Sequence, residues 1–327
     1  MRLSLSFTGF GSILADLPAV HAAEECGFDG VWYAEHICAH DAVVPATLYL
    51  RETERLELAL MGINAAGRHP GLAAMELASL AEIAPGRVRA AIGTGVPDMI
   101  AQLGRSVEKP IASTIALHQA LKTALAGGEI TEEYPGFSFA QYKLNPLAAP
   151  PALDIMAVRP RMVDTAARYA DGICLSAGSS LAYLSRTVQT VEKILAATGR
   201  TRESFRVSVV IPAFITDDSE GARMQVAALL SSFDAGTTEY LAAGAIPPGA
   251  LVAAAASGPA EAIKVFTPDV IDAVAMVCSP DGVGEKLAAY AETGVDEIAV
   301  APFMPPEQVP DVIRLLAANR PAMTAAS

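Results

Sequence analysis

The sequence predicts an α/β protein of the (β/α)8 barrel type, the TIM barrel, with a helical insertion before the last strand. Three observations predict it. Short apolar runs alternate with amphipathic helical segments, the segments are punctuated by Gly or Pro, and the strand-like runs number eight. A doubly wound open sheet shows similar alternation, and the count of eight is what favours closure. At 327 residues the chain fits one such domain over residues 1–327, since barrels of this class run from about 200 to more than 400 residues.

Leu3–Phe7 reads as the first strand, and Leu17–Cys26 as a helix stopped by Gly27. Gly30–Tyr33 is the second strand, followed by a short helix around Ala46–Arg51. Leu56–Met61 is the third. Pro70 opens the next helix, which runs to about Ile83 before Pro85-Gly86. Val88–Ile92 is the fourth strand, with helix Ile111–Ala126 behind it. Residues 127–150, rich in Gly, Pro and aromatics, read as an ordered loop or hairpin over the barrel. Ala152–Ala157 and Gly172–Leu175 are strands five and six, with helix Arg161–Tyr169 between them and helix Ala182–Ala197 after. Phe205–Ala213 is the seventh strand and Glu297–Val300 the eighth. Residues 217–295 form a long, mainly helical excursion before it.

Composition narrows the function. The chain is 52% hydrophobic and 18% charged, which leaves disorder only for the tail, Ala322 to Ser327. A formal net charge of −13 argues against a nucleic-acid or anionic-membrane surface, because both require a cationic face. The apolar stretches are too broken by charges and prolines to span a bilayer. Met1-Arg2-Leu3-Ser4-Leu5 enters strand-like alternation directly, so no signal peptide is expected. Cys26, Cys38, Cys174 and Cys278 form no CxxC pair and read as reduced residues of a cytoplasmic protein. No metal site is expected from His21, His36, His40, His69 and His118, and no GxSxG, HExxH or Walker motif occurs.

Barrel enzymes carry their chemistry on the loops after the strands. After strand two come Glu35 and His36, a carboxylate and an imidazole that are costly at a buried strand end unless satisfied or used. His36 suits proton transfer near neutral pH. After strand three, Gly62-Ile63 permits a bulge, and Arg68-His69 flank a helix start where they either hold an anion or cap and pack around Pro70. After strand four, Gly93-Thr94-Gly95 allows close backbone approach to a flat ring or phosphate, or makes a tight turn. Asp98 stands where the dinucleotide fingerprint needs its third glycine, which disfavours a Rossmann dehydrogenase. After strands five and six, Arg159 and Ser176-Ala177-Gly178-Ser179-Ser180 form the best phosphate candidate, with N-capping the alternative for Ser179 and Ser180.

Four blocks carry a resemblance. Ala22–His36 (AAEECGFDGVWYAEH), Gly62–Gly95, Arg159–Gly178 and Cys278–Val300 resemble, in order, the bacterial-luciferase-like superfamily of flavin and deazaflavin oxidoreductases. The Gly62-Ile63 strand end with the following RHP is most similar to its methylenetetrahydromethanopterin-reductase-like branch, which uses coenzyme F420. The resemblance implies a cis peptide at Gly62-Ile63 behind the ring, Glu35 and His36 beside it, Gly93-Thr94-Gly95 at its other edge, and Ser176, Ala177 and Gly178 near the ribityl chain and phosphate. It also implies a homodimer or higher homo-oligomer acting on a small-molecule substrate.

Two departures stand out. Ala157-Val158-Arg159-Pro160 replaces a glycine-rich stretch, and Ser6-Phe7-Thr8-Gly9 lacks a strand-one carboxylate found in some pterin reductases. The expected function is hydride transfer between F420 and a small organic substrate, with His36 or Glu35 as acid or base. The alternatives are an FMN-dependent monooxygenase using O2, and a flavin-binding barrel without turnover.

Overall fold

The computed structural model describes residues 1–321, so the tail expected to be disordered lies outside the described residues. The described residues form eleven strands: β1 (Arg2–Phe7), β2 (Gly30–Ala34), β3 (Glu57–Ile63), β4 (Val88–Ile92), β5 (Glu133–Tyr134), β6 (Phe137–Ser138), β7 (Ala152–Met156), β8 (Gly172–Leu175), β9 (Arg206–Ile215), β10 (Met276–Cys278) and β11 (Glu297–Pro302). Parallel pairing runs β1-β2-β3-β4-β7-β8-β9-β11 and returns from β11 to β1. The sheet is therefore a closed eight-stranded barrel, as the alternation predicts. The β5–β6 hairpin lies within residues 127–150, and β10 extends β9 outside the ring.

Closure follows from strands that are apolar on both faces. Leu3, Leu5, Val31, Leu58, Leu60, Leu153 and Ile155 face the surrounding helices in one continuous core. The alternate positions turn into the lumen, where Trp32, Ala34, Ala59, Met61, Ala91, Cys174 and Ala299 cluster. Small residues dominate that list, so the lumen fills below its mouth without blocking it.

At the strand starts the lumen is plugged by charge. Glu297 accepts from Trp32 Nε1 (2.9 Å), Ser4 Oγ (2.5 Å) and Arg206 Nη1 (3.1 Å), Arg206 also pairs with Glu57, and Arg89 pairs with Asp154. Burial pushes the Asp154 carboxyl up to about 7 in spite of Arg89. This end of the barrel is thereby shut, and the C-terminal end is left for chemistry.

Between β9 and β11 the chain forms helices Ser219–Ser231, Ala235–Leu241, Ala250–Ala256, Pro259–Lys264 and Pro268–Val274. Phe214, Val226, Leu230, Leu251 and Ile271 bury one another there in a second, smaller core. The helix Pro97–Gln102 after β4 and the last helix, Val309–Ala318, were not anticipated by the sequence pattern; nor was β10.

Candidate active site

His36 follows β2 by two residues, and its position is set by the loop after β1. Its Nδ1 lies 2.8 Å from the Thr8 carbonyl. A carbonyl can only accept, so Nδ1 carries the proton and Nε2 keeps a lone pair. The ring stacks on Phe10 with centroids 4.7 Å apart, while Phe10 itself stays 63% exposed. Burial lowers the His36 pKa below the usual imidazole value, against the Thr8 carbonyl, which raises it. The loop bearing Thr8 and Phe10 turns at Gly9, where φ is 78° and a Cβ would lie 2.3 Å from the Ala34 carbonyl oxygen. Only glycine lets that loop approach β2 so closely.

Glu35 is engaged differently. Its Oε2 pairs with Arg68 and accepts the Ala42 N–H at 3.2 Å, while Arg68 Nη1 donates to Glu76 at 2.5 Å. Burial raises the Glu35 pKa, and the Arg68 guanidinium opposes the rise. Arg68 is therefore held by two carboxylates. His69 caps the helix Pro70–Ile83, with Nδ1 accepting the Gly71 N–H at 3.0 Å and Nε2 donating to the Ser138 carbonyl at 3.0 Å. Of the two readings of Arg68-His69, capping describes His69, while Arg68 does neither and is taken up by the two carboxylates.

β3 is irregular where the glycine implied. Its register against β4 shifts between Met61 and Ile63, and Gly62 has φ 102°. A Cβ on Gly62 would sit 3.0 Å from the Glu35 carbonyl oxygen. The expected cis peptide at Gly62-Ile63 is a correction: no cis bond occurs among the described residues. The glycine's positive φ takes up the extra residue of the bulge with a trans peptide.

Gly93, Thr94 and Gly95 close the other side. Gly93 lies against Met156, and a Cβ on Gly95 (φ 75°) would meet Ile100 at 2.9 Å and Asn64 at 3.2 Å. Buried Asn64 fixes this corner, with Nδ2 donating to the Gly62 carbonyl (3.1 Å) and Oδ1 accepting the Gly67 N–H (2.7 Å). Gly93 and Thr94 open onto a cavity of about 620 Å³, which continues past Ala65, Ala66 and Arg105 to Lys109, Ser113 and the hairpin tip Pro135-Gly136. The hairpin serves as a wall. Phe137 and Phe139 are buried with their rings against His69, and Phe139 also packs on Tyr142, whose hydroxyl donates to the Gly71 carbonyl at 2.6 Å. A small-residue floor, glycine edges and an adjoining cavity of this size fit a flat ring carrying a polar arm.

The strand-five and strand-six cradle is placed at the same end of the barrel but is largely occupied by the protein itself. Arg159 donates to the Gly236 carbonyl at 2.9 Å and lies 4.4 Å over the Tyr240 ring. Ser179 is buried and donates to the Ser176 carbonyl at 2.7 Å, while Ser180 caps the helix Leu181–Ala197. Gly178 (φ 84°) is approached by Leu230 of the helical excursion, leaving Ser176 and Ala177 half-buried.

A family model described as luciferase-like monooxygenase matches residues 17–297, most of the chain. The protein belongs to that family. Among curated relatives of this luciferase-like barrel, a 5,10-methylenetetrahydromethanopterin reductase from Methanolobus tindarius is 24% identical over 308 residues, covering 91% of this chain and 93% of that one. The solved coenzyme F420-dependent tetrahydromethanopterin reductase from Methanopyrus kandleri superposes with a TM-score of 0.79 at 18% identity, covering 98% of each chain. A monooxygenase from Streptomyces bottropensis gives a TM-score of 0.74 at 20% identity, again over 98% of each chain. Among the described residues no helix is long and apolar enough to cross a membrane.

Proposed function

We propose that the protein is an oxidoreductase that transfers a hydride between the deazaflavin coenzyme F420 and a small organic substrate. The observations that carry this reading are a cavity edged by Gly93 and Thr94 and, at the same end of the barrel, an imidazole, His36, whose Nδ1 alone is engaged by the protein among the described residues. Similarity over most of both chains to a methylenetetrahydromethanopterin reductase, and to a solved tetrahydromethanopterin reductase that is coenzyme F420-dependent, supports the choice of cofactor. When bound, the deazaflavin supplies a two-electron hydride donor or acceptor at its ring carbon C5.

Everything else falls to the chain. Gly62, Ile63, Gly93, Thr94 and Gly95 admit and flank the ring, and the hairpin wall limits water. His36 exchanges the proton that accompanies oxidation or reduction of a substrate carbon, through Nε2. Glu35 acts as a positioning residue: with Arg68 it holds the strand-two loop from which His36 projects.

An FMN-dependent monooxygenase is the second reading, favoured by the family's description and by the Streptomyces neighbour. One experiment separates them. The purified protein is titrated with F420 and with FMN while fluorescence is followed, and oxygen uptake is measured with reduced FMN and candidate substrates. The F420 reading expects micromolar deazaflavin binding and no flavin-driven oxygen consumption. Tight FMN binding with substrate-dependent oxygen uptake would replace it by the second.

A further inference from the structure

We propose that Phe10 is a positioning residue for His36: its ring face holds the imidazole in place and favours the imidazolium that forms when Nε2 takes a proton. The inference rests on the assignment of proton transfer to His36 above. The two rings are stacked, with centroids 4.7 Å apart and an interplanar angle of 30°. A cation within about 6 Å of an aromatic centroid is attracted by the negative face of the π-system. A neutral imidazole stacks there too, so the effect is the extra attraction gained with the proton.

The loop that carries Phe10 is pinned for this contact. His36 and His40, four apart in sequence, take consecutive carbonyls of it. Nδ1 of His36 lies 2.8 Å from the Thr8 oxygen, and Nδ1 of His40 lies 3.1 Å from the Gly9 oxygen. The His40 backbone N–H donates to the same Gly9 oxygen at 3.3 Å. The two residues before Phe10 are thus both fixed. Phe10 itself is 63% exposed and adds little to the core, and among the described residues its one aromatic neighbour is His36.

No carboxylate takes this part. Glu35 is committed to Arg68, and Arg68 also to Glu76. Asp41 accepts the Val43 and Val44 N–H groups at 2.8 and 2.9 Å, and Asp16 accepts the Tyr49 hydroxyl at 3.0 Å. The helix Pro97–Gln102 meets the His36 loop where Gln102 accepts the Cys38 thiol at 3.1 Å, and its Asp98 is exposed. No charged side chain acts on the His36 ring: burial lowers its proton affinity and the Thr8 carbonyl raises it. The imidazolium therefore has two supports, the Thr8 carbonyl at Nδ1 and the Phe10 face, and only the second is a side chain.

The test follows the His36 Cε1–H resonance by NMR against pH in the full-length protein without cofactor, with the signal assigned by its loss in His36→Asn. Phe10→Leu keeps an apolar cover and removes the π face, whereas Phe10→Trp keeps the face. Phe10→Leu should lower the His36 midpoint by about half a pH unit, a roughly threefold loss of imidazolium at a given pH. Phe10→Trp should hold the midpoint at or above the wild-type value, and denaturant melts confirm that both variants are folded. A midpoint unchanged or raised in Phe10→Leu would overturn the proposal, the ring then acting on His36 only by excluding water. A midpoint lowered equally in Phe10→Trp would overturn it too. Because no cofactor is present, failure of F420 to bind in the titration above would defeat the cofactor reading and leave this result standing.

Discussion

At the scale of the residue, His36 and Glu35 are neighbours in sequence with opposite commitments. Glu35 spends its carboxylate on Arg68 and a backbone N–H, whereas His36 uses only Nδ1, on the Thr8 carbonyl. His36→Asn should lower kcat by about a hundredfold or more, the usual weight of a lost general acid or base, with deazaflavin affinity changed only a few-fold. Stopped-flow turnover alongside a binding titration checks this, and unchanged turnover would remove His36 from the chemistry. The pH dependence has a definite sign. Burial lowers the His36 pKa below 6.5, so the ring stays neutral, and able to accept a proton, to lower pH than an exposed histidine. In the substrate-oxidising direction kcat should therefore hold level down through pH 6.5 and fall only on further acidification. A rate that climbs as pH drops would show instead that the protonated ring is the active form.

At the scale of the element, the irregular strand ends shape the proposed site through their glycines. Gly62 and Gly95 both have positive φ, and a Cβ at either meets a neighbour within about 3 Å. Gly95→Val should cost about 2 kcal/mol or more, combining left-handed backbone strain with a clash on Ile100, and should weaken deazaflavin binding beyond what the stability loss explains. Denaturant melts paired with titration test it; a variant as stable and as tight-binding as the wild type would disconnect Gly95 from the site. The strand runs were legible in the sequence because each is an apolar stretch bounded by turn residues, and Gly62 was legible because a glycine at a strand end announces a bulge. Three-residue β10 was not, since Met276–Cys278 continues an alanine-rich helical stretch without a turn signal. The fate of Arg159 was hidden for a different reason. Its partners, Gly236 and Tyr240, are far along the chain on a helix whose docking no local pattern reports. The cavity beside Arg105 was not legible, because the run RSVEKP carries no motif and only the fold brings it against Gly93 and Thr94.

At the scale of the whole molecule, stability and function occupy opposite ends of one barrel. The charged plug at the strand starts depends on Glu297, which is fully buried and receives Trp32, Ser4 and Arg206. Glu297→Gln should destabilise by about 3 kcal/mol, because a neutral amide loses the charge-assisted bond from Arg206 and turns an NH2 towards buried donors, and should lower Tm by roughly 4 °C while the folded fraction keeps its ligand affinity. Beyond the plug, His118 gives the fold an acid limit. It is buried on the helix Pro110–Leu125 with Nε2 unpartnered, and burial lowers its pKa from 6.5 to about 4. Because the folded value is the lower one, the unfolded chain binds the extra proton between those two pH values. The contribution is thus complete above pH 6.5 and drains away as pH falls towards 4, by about 3 kcal/mol in total. Asp154 and Asp16, whose carboxyls are raised to about 7 and about 6, act with the opposite sign, gaining stability as they protonate. The wild-type acid slope is therefore a difference of these effects, and only a variant isolates the histidine. His118→Leu replaces an unpartnered polar ring by an apolar side chain, so it should leave stability near neutral pH within about 1 kcal/mol of the wild type. Its curve of unfolding free energy against pH should then rise above the wild-type curve progressively from pH 6.5 to 4. Parallel curves across that window would mean that the buried ring does not set the acid limit.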